Sequence, residues 1–383
     1  HLATTRGVAY LATAPGSLGL ARAYVSGDLV PLGVHLGDPY QVLVALGRVV
    51  WRRPAPPTLA RIALSLGPAR FVPPTPPEQE ALPDWRRALN GLRHSRNRDA
   101  SAIHHHYDVS NRFYQLVLGP SMAYTCACYP SPEATLEEAQ YAKHDLVARK
   151  LDLRPGMRLL DVGCGCGGLL RHAAREYGVR ALGVTLSRQQ AEWAQAAIER
   201  EGLADLAEVR FLDYRSVTEG DFDAVSSIGL TEHIGVANYP AYFGFLRDKL
   251  RPGGRLLNHC ITRPDNQHVA RVRRGFIDRY VFPDGELTGS GRIITAVQNV
   301  GLEVRHAENL REHYALTLAA WCRNLETTWD ECVAEVGEAT ARTWGLYMAG
   351  CRLGFEQNQV QLHQVLAVRP QPDGRADVPL RPW

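Results

Sequence analysis

A chain of 383 residues with 45% hydrophobic content and a formal net charge of +3 has enough apolar material for one large core and a smaller accessory one, which excludes a disordered or fibrous protein. No apolar run approaches the roughly 20 residues that span a bilayer, and the first residues lack the basic-then-apolar order of a secretory signal, so a cytoplasmic protein is expected. Eight cysteines in a chain this long make no disulfide framework. The pairs Cys126/Cys128 and Cys164/Cys166 have C-x-C spacing rather than the C-x-x-C usual for zinc, so no metal site is expected.

The positive charge is N-terminal. Residues 1–112 carry 13 Arg against 7 acidic residues, a net of +6 that leaves −3 for the remainder. Lysine occurs only at 143, 150 and 249, so arginine richness is a bias of the whole chain. Arg86, Arg87, Arg93, Arg96 and Arg98 read equally as a solvated helix face or as an anion-binding surface. The proline-rich stretches RRPAPP (52–57) and VPPTPP (72–77) cannot continue helices and read as linkers. They set off a mainly helical accessory module over 1–83 from a catalytic domain over 84–383.

From Met157 onward, apolar runs alternate with amphipathic segments. RLLDVG, RALGVTLS, EVRFLDY, DAVSSIG and RLLNHCIT predict strands; RQQAEWAQAAIEREG and YPAYFGFLRDKL predict helices between them. That alternation predicts an α/β fold with a doubly wound, mostly parallel sheet. Residues 315–350 have helical spacing, and QLHQVLAVR reads as a late strand.

The first predicted strand runs into LLDVGCGCGG (159–168), which fits two cofactor patterns. Gly163, Gly165 and Gly168 satisfy GxGxxG; Asp161 with Gly163, Gly165 and Gly167 satisfies the DxGxGxG pattern of S-adenosyl-L-methionine (SAM) enzymes. A dinucleotide fold commonly has an acid about 20 residues on for the ribose, and GVTLSRQQ (183–190) has none. SAM carries no phosphate but has an amino acid tail and a sulfonium cation, which Asp161 suits. Asp213, after the third strand, is placed either to accept from the adenine amino group or to cap a turn.

Six blocks, in order, resemble cyclopropane-fatty-acid synthases and related mycolic-acid and fatty-acid C-methyltransferases. They are HHHYDVSNRFYQLVLGPSMAYTCACY (104–129), the glycine turn, GVTLSRQQ (183–190), SSIGLTEHIG (226–235), FIDRYVFPDGEL (276–287) and EHYALTLAAW (312–321). The resemblance runs from about residue 85 to the C terminus and extends weakly to LARAYVSGDL (20–29). It implies a class I SAM-methyltransferase fold and methyl transfer to the cis double bond of an acyl chain, often in a phospholipid. The product would be a cyclopropane or a methylene- or methyl-branched chain.

The resemblance also implies SAM contacts from Tyr124, Thr125, Gly163, Gly165, Thr185, Leu186 and Gln190. It further implies a bicarbonate ion acting as base, held by Cys126, Glu232, His259, Tyr314 and the amide of Ile261. Cys166 stands where many relatives carry Trp, and Asn258 and Cys260 flank His259 where many carry an apolar residue and Thr. NHCITR leans toward the branched product. An acyl substrate in a membrane implies a peripheral enzyme at its inner face, with the segment 86–98 and Arg271, Arg273, Arg274 and Arg279 meeting lipid phosphates. Whether it forms a homo-oligomer is left open.

Nucleic acid is not expected as a partner, since NYPAY (238–242) is not the NPPY-type motif of amino-methyltransferases. A small-molecule methyltransferase would share the SAM half but would not need HYDVSNRFY with YTC, or TEHIG. A lipid-binding relative without turnover would not need the Cys, Glu, His and Tyr set.

Overall fold

The computed structural model describes residues 1–49, 55–81, 110–267 and 275–380. Arg86, Arg87, Arg93, Arg96, Arg98, Arg271, Arg273, Arg274, the HHHYDV part of the first block and the expected boundary at 83 lie outside the described residues. The chain divides into two compact units, one of His1–Leu89, Val272–Pro283 and Leu318–Leu353, the other of the remaining residues.

The first unit is mainly helical among its described residues. Glu80, its side chain fully buried, accepts from Arg22 (2.6 and 2.8 Å), pairs with Arg279 at 2.6 Å and receives the hydroxyl of Tyr280 at 3.3 Å. Burying a carboxylate is costly unless it is paired in this way. Arg279, expected to meet lipid phosphate, here gives its guanidinium to Glu80 and to the Ala81 carbonyl. The same network joins residue 22 to residues 279 and 280, so a single cut near 83 does not describe the packing. The two proline-rich stretches differ: Pro56 opens helix Pro56–Leu66, where a missing N–H costs nothing, and Thr75 in the second gives its carbonyl to Tyr10 at 2.6 Å.

The second unit is built on a seven-stranded sheet. Its strands are β1 (Arg158–Val162), β2 (Arg180–Thr185), β3 (Ala207–Phe211), β4 (Phe222–Ile228), β5 (Leu250–Thr262), β6 (Glu303–Asn309) and β7 (Gln361–Val368). Their order is β3-β2-β1-β4-β5-β7-β6, with only β7 antiparallel to its neighbours. All five predicted strands and the late one are present. β6 escaped the sequence reading because EVRHAEN is an edge strand with no buried residue.

Alternation along the strands divides the core. Leu159, Ala181, Val209, Ala224, Leu257 and Leu366 pack against helices on one face, and Leu160, Val162, Val225, Leu256, Cys260 and Val365 on the other. Helix Leu136–Lys150 lies on the first face and opens with a reciprocal cap between Thr135 and Glu138. Strand order reverses between β1 and β4, which leaves a crevice at the carboxyl ends of the strands, where ligands of open α/β sheets bind.

Candidate active site

The turn after β1 depends on glycine. Gly163, Gly165 and Gly167 have φ of +78°, +54° and +69°, values that favour glycine. The amides of Gly163 and Cys164 both donate to the carbonyl of Val184, folding the turn over the end of β2. A Cβ built on Gly165 meets no protein atom within 4 Å, whereas one on Gly163 meets Leu230 at 3.1 Å and one on Gly167 meets Ala194 at 3.2 Å. The open side at Gly165 belongs to a cavity lined also by Tyr124, Thr125, Asp161, Gly163, Thr185, Leu186 and Gln190. Eight of the nine predicted cofactor positions therefore share one cavity.

The ninth, Asp213, is not among the lining residues. Its carboxylate accepts the amide of Arg215 at 2.9 Å and pairs with that guanidinium at 2.7 and 2.8 Å, so it caps the turn that brings Tyr214 and Arg215 to the cavity. Asp161 is buried, accepts from Ser226 at 2.6 Å, and has its carboxyl pushed up to about 6 by burial, partly offset by the Ser226 bond and Lys143.

Sequence reading missed Lys143. It is 2% exposed, lines the cavity, donates to Thr125 Oγ1 at 3.1 Å, and is brought down to about 8 by burial. Sequence alone did not mark it: lysine is rare in this chain, but only the structure shows that Lys143 and Lys150 are buried.

Backbone pairing links four of the five predicted base-site positions, and the fifth, His259, lies two residues before Ile261 on β5. Ile261 on β5 lies opposite Leu362 on β7; the Leu362 carbonyl accepts from Leu310; and the Leu310 carbonyl takes the Cys126 thiol at 3.8 Å and the Tyr314 amide at 3.2 Å. From the other side, Glu232 Oε1 accepts the Ile261 amide at 2.7 Å. EHYALT also holds the Cys126 segment in place, since His313 Nδ1 accepts from the Tyr129 amide and Thr317 Oγ1 from the Ala127 amide, both at 3.0 Å. Tyr314 is buried with its ring 4.5 Å from that of Phe355.

Charge states follow from burial. Cys126 is fully buried with its thiol pushed well up, so it is a neutral S–H donor. Burial raises Glu232 to about 7 against the Ile261 amide, which favours the anion. Burial and the charges of Lys143 and Lys150 hold His259 neutral. Two buried atoms here, Glu232 Oε2 and His259 Nε2, have no hydrogen-bond partner. Buried polar atoms are nearly always paired, so such atoms mark a place where a polar ligand fits.

The departures beside His259 have a structural reason. Asn258 Oδ1 accepts from Thr231 at 2.6 Å and its amide donates to Cys260 Sγ at 3.3 Å, which fixes the short helix that carries Glu232.

Sheet order and crevice define the class I methyltransferase fold. The family description "Mycolic acid cyclopropane synthetase" matches residues 94–365, and the chain belongs to that family. A relative named "Probable fatty acid methyltransferase Rv3720" from Mycobacterium tuberculosis is 63% identical over all of this chain and 89% of its own length. The cyclopropane-fatty-acyl-phospholipid synthase of Escherichia coli is 34% identical over 70% of this chain and 68% of its own. The crystal structure of the mycolic acid cyclopropane synthase CmaA1 with SAH and CTAB superposes with a TM-score of 0.66 at 31% identity, covering 70% of this chain and 97% of that one. The protein is a SAM-dependent methyltransferase of the fatty-acid type.

Proposed function

We propose that this enzyme methylates the cis double bond of an unsaturated acyl chain, oleoyl in a phospholipid, and that its base site takes a bicarbonate ion. The carrying observation is the pair of buried, unpartnered atoms, Glu232 Oε2 and His259 Nε2, with Glu232 held by the amide of Ile261 on the strand that carries His259. An ion with both a hydroxyl and anionic oxygens suits a carboxylate acceptor and an imidazole donor, each with an unpartnered atom.

SAM, when bound, supplies an electrophilic methyl group, and bicarbonate a proton acceptor. Asp161 and Lys143 offer opposite charges to the ends of an amino acid tail, the Gly165 backbone allows close approach, and Gln190 and Thr185 offer polar contacts for a ribose. The Ile261 amide donates to Glu232, so it steadies the carboxylate that would receive the proton. An alkene is a weak nucleophile and the cation it forms is trapped by water, which is why a dry, buried base site serves this chemistry.

The name of the E. coli relative supports a phospholipid substrate, and the flanks of His259 support the branched product. No helix of the described residues is long and apolar enough to cross a membrane, so the acyl chain would be reached by docking on the membrane surface through the N-terminal module. Mass spectrometry of lipids from cells expressing the protein tests this. Gain of one CH2 on monounsaturated phospholipid chains is expected, with NMR of the product separating cyclopropane from branch. Modification of a polar small molecule alone would overturn it.

A further inference from the structure

We propose that Lys150 and Gln364 are positioning residues that fix His259 in its Nε2–H tautomer, which makes the ring a hydrogen-bond donor to the base site rather than the base itself. The functional half of this rests on the base-site reading above; the tautomer follows from contacts alone.

His259 on β5 lies directly opposite Gln364 on β7, and Gln364 lies opposite Glu308 on β6. Side chains in register across neighbouring strands share a face, so the three form a row. Lys150, the last residue of helix Leu136–Lys150, closes over that row on the face where the helix packs. Its ammonium donates to the Glu308 carboxylate and, over 2.7 Å, to Gln364 Oε1.

An ammonium has only hydrogens to offer, so the Gln364 atom it meets must be the amide oxygen. That leaves the amide NH2 against His259 Nδ1, 3.2 Å away. The NH2 group too can only donate, so Nδ1 accepts, and the single proton of a neutral imidazole sits on Nε2. Exposures of 2%, 0% and 1% for Lys150, Gln364 and His259 leave no solvent to offer Nδ1 another partner. Nε2, carrying the proton, is the atom that has no partner. A bare lone pair there would repel an anionic oxygen; an N–H binds it. Proton removal then falls to the anion and Glu232.

The test is 15N NMR of protein labelled at histidine, with the His259 signals assigned by their loss in His259→Asn. The neutral Nε2–H pattern is expected in the wild type. In Gln364→Glu the new carboxylate can only accept, so the proton should move to Nδ1, turnover should drop about 10- to 100-fold, and SAM affinity by calorimetry should hold. Lys150→Met, which frees the amide to turn over, should give mixed tautomers and serves if the first variant does not fold. A wild-type Nδ1–H pattern, a tautomer indifferent to both substitutions, or a moved proton with full turnover would overturn the proposal. Full turnover in His259→Asn would instead sink the base-site reading while leaving the tautomer assignment standing.

Discussion

The backbone amide of Ile261 donates to one oxygen of Glu232 over 2.7 Å and leaves the other oxygen buried without a partner. One oxygen is thus structural and the other available. Glu232→Gln can keep the first contact while replacing the available acceptor by a donor. SAM affinity should be unchanged by calorimetry and turnover should fall on the order of 10²-fold. A near wild-type rate would show that proton removal runs elsewhere.

The same carboxyl gives a pH dependence. Its proton is held up to about 7 in the folded protein against 4.5 ordinarily. Between those values the folded state binds the extra proton, so this group's contribution to stability falls as pH rises through the window and then levels off. On the proposed role of Glu232, turnover should rise toward a midpoint near 7. Denaturant titrations across that range should lose the corresponding slope in Glu232→Gln.

Two glycines separate binding from folding. Gly165→Ala meets no protein atom and bears only the strain of a positive φ, about 1 kcal/mol, but narrows the cavity, so SAM affinity should fall far more than stability. Gly183→Ala places a Cβ 2.8 Å from both Cys164 Sγ and a Leu170 methyl, so it should destabilise by about 1–3 kcal/mol in thermal or urea unfolding. Equal effects of the two on binding would contradict the cavity assignment.

Asp161 near 6 and Lys143 near 8 bracket a pH range in which both are charged. SAM affinity should be highest between those values. Asp161→Asn should abolish the acid limb and Lys143→Met the alkaline one, each weakening binding about tenfold or more. Calorimetry with 5′-methylthioadenosine, which lacks the amino acid tail, should show neither limb.

Asn258→Leu removes the acceptor of the buried Thr231 hydroxyl. A loss of about 1–3 kcal/mol is expected, with turnover falling as the Glu232 helix loosens. Unchanged melting would mean that Thr231 finds another partner.

Local signals carried most of the sheet and the cofactor turn: a strand, a glycine run and a helix start are contiguous, so the chemistry of LLDVGCGCGG is readable where it stands. Asp213 shows the limit, because capping and ligand contact ask for the same residue type, and the nearby Arg215 took the carboxylate. Lys143, Lys150 and Gln364 were not legible, since their partners are remote. Gln364 meets His259 across 105 positions of sequence, and only the pairing of β5 with β7 joins them.

β7 is the last of the described strands in sequence, yet it lies between β5 and β6 rather than at an edge. During synthesis β5 therefore waits with an open flank, and β6 has nothing to pair with until some fifty residues later the final strand emerges and slots in. Gln364 arrives on that strand, so the side chain that meets His259 is made after every other described strand of the sheet. A chain stopped short of β7 would have the residues of the glycine turn but not Gln364, and would present an open strand edge of the kind that invites aggregation.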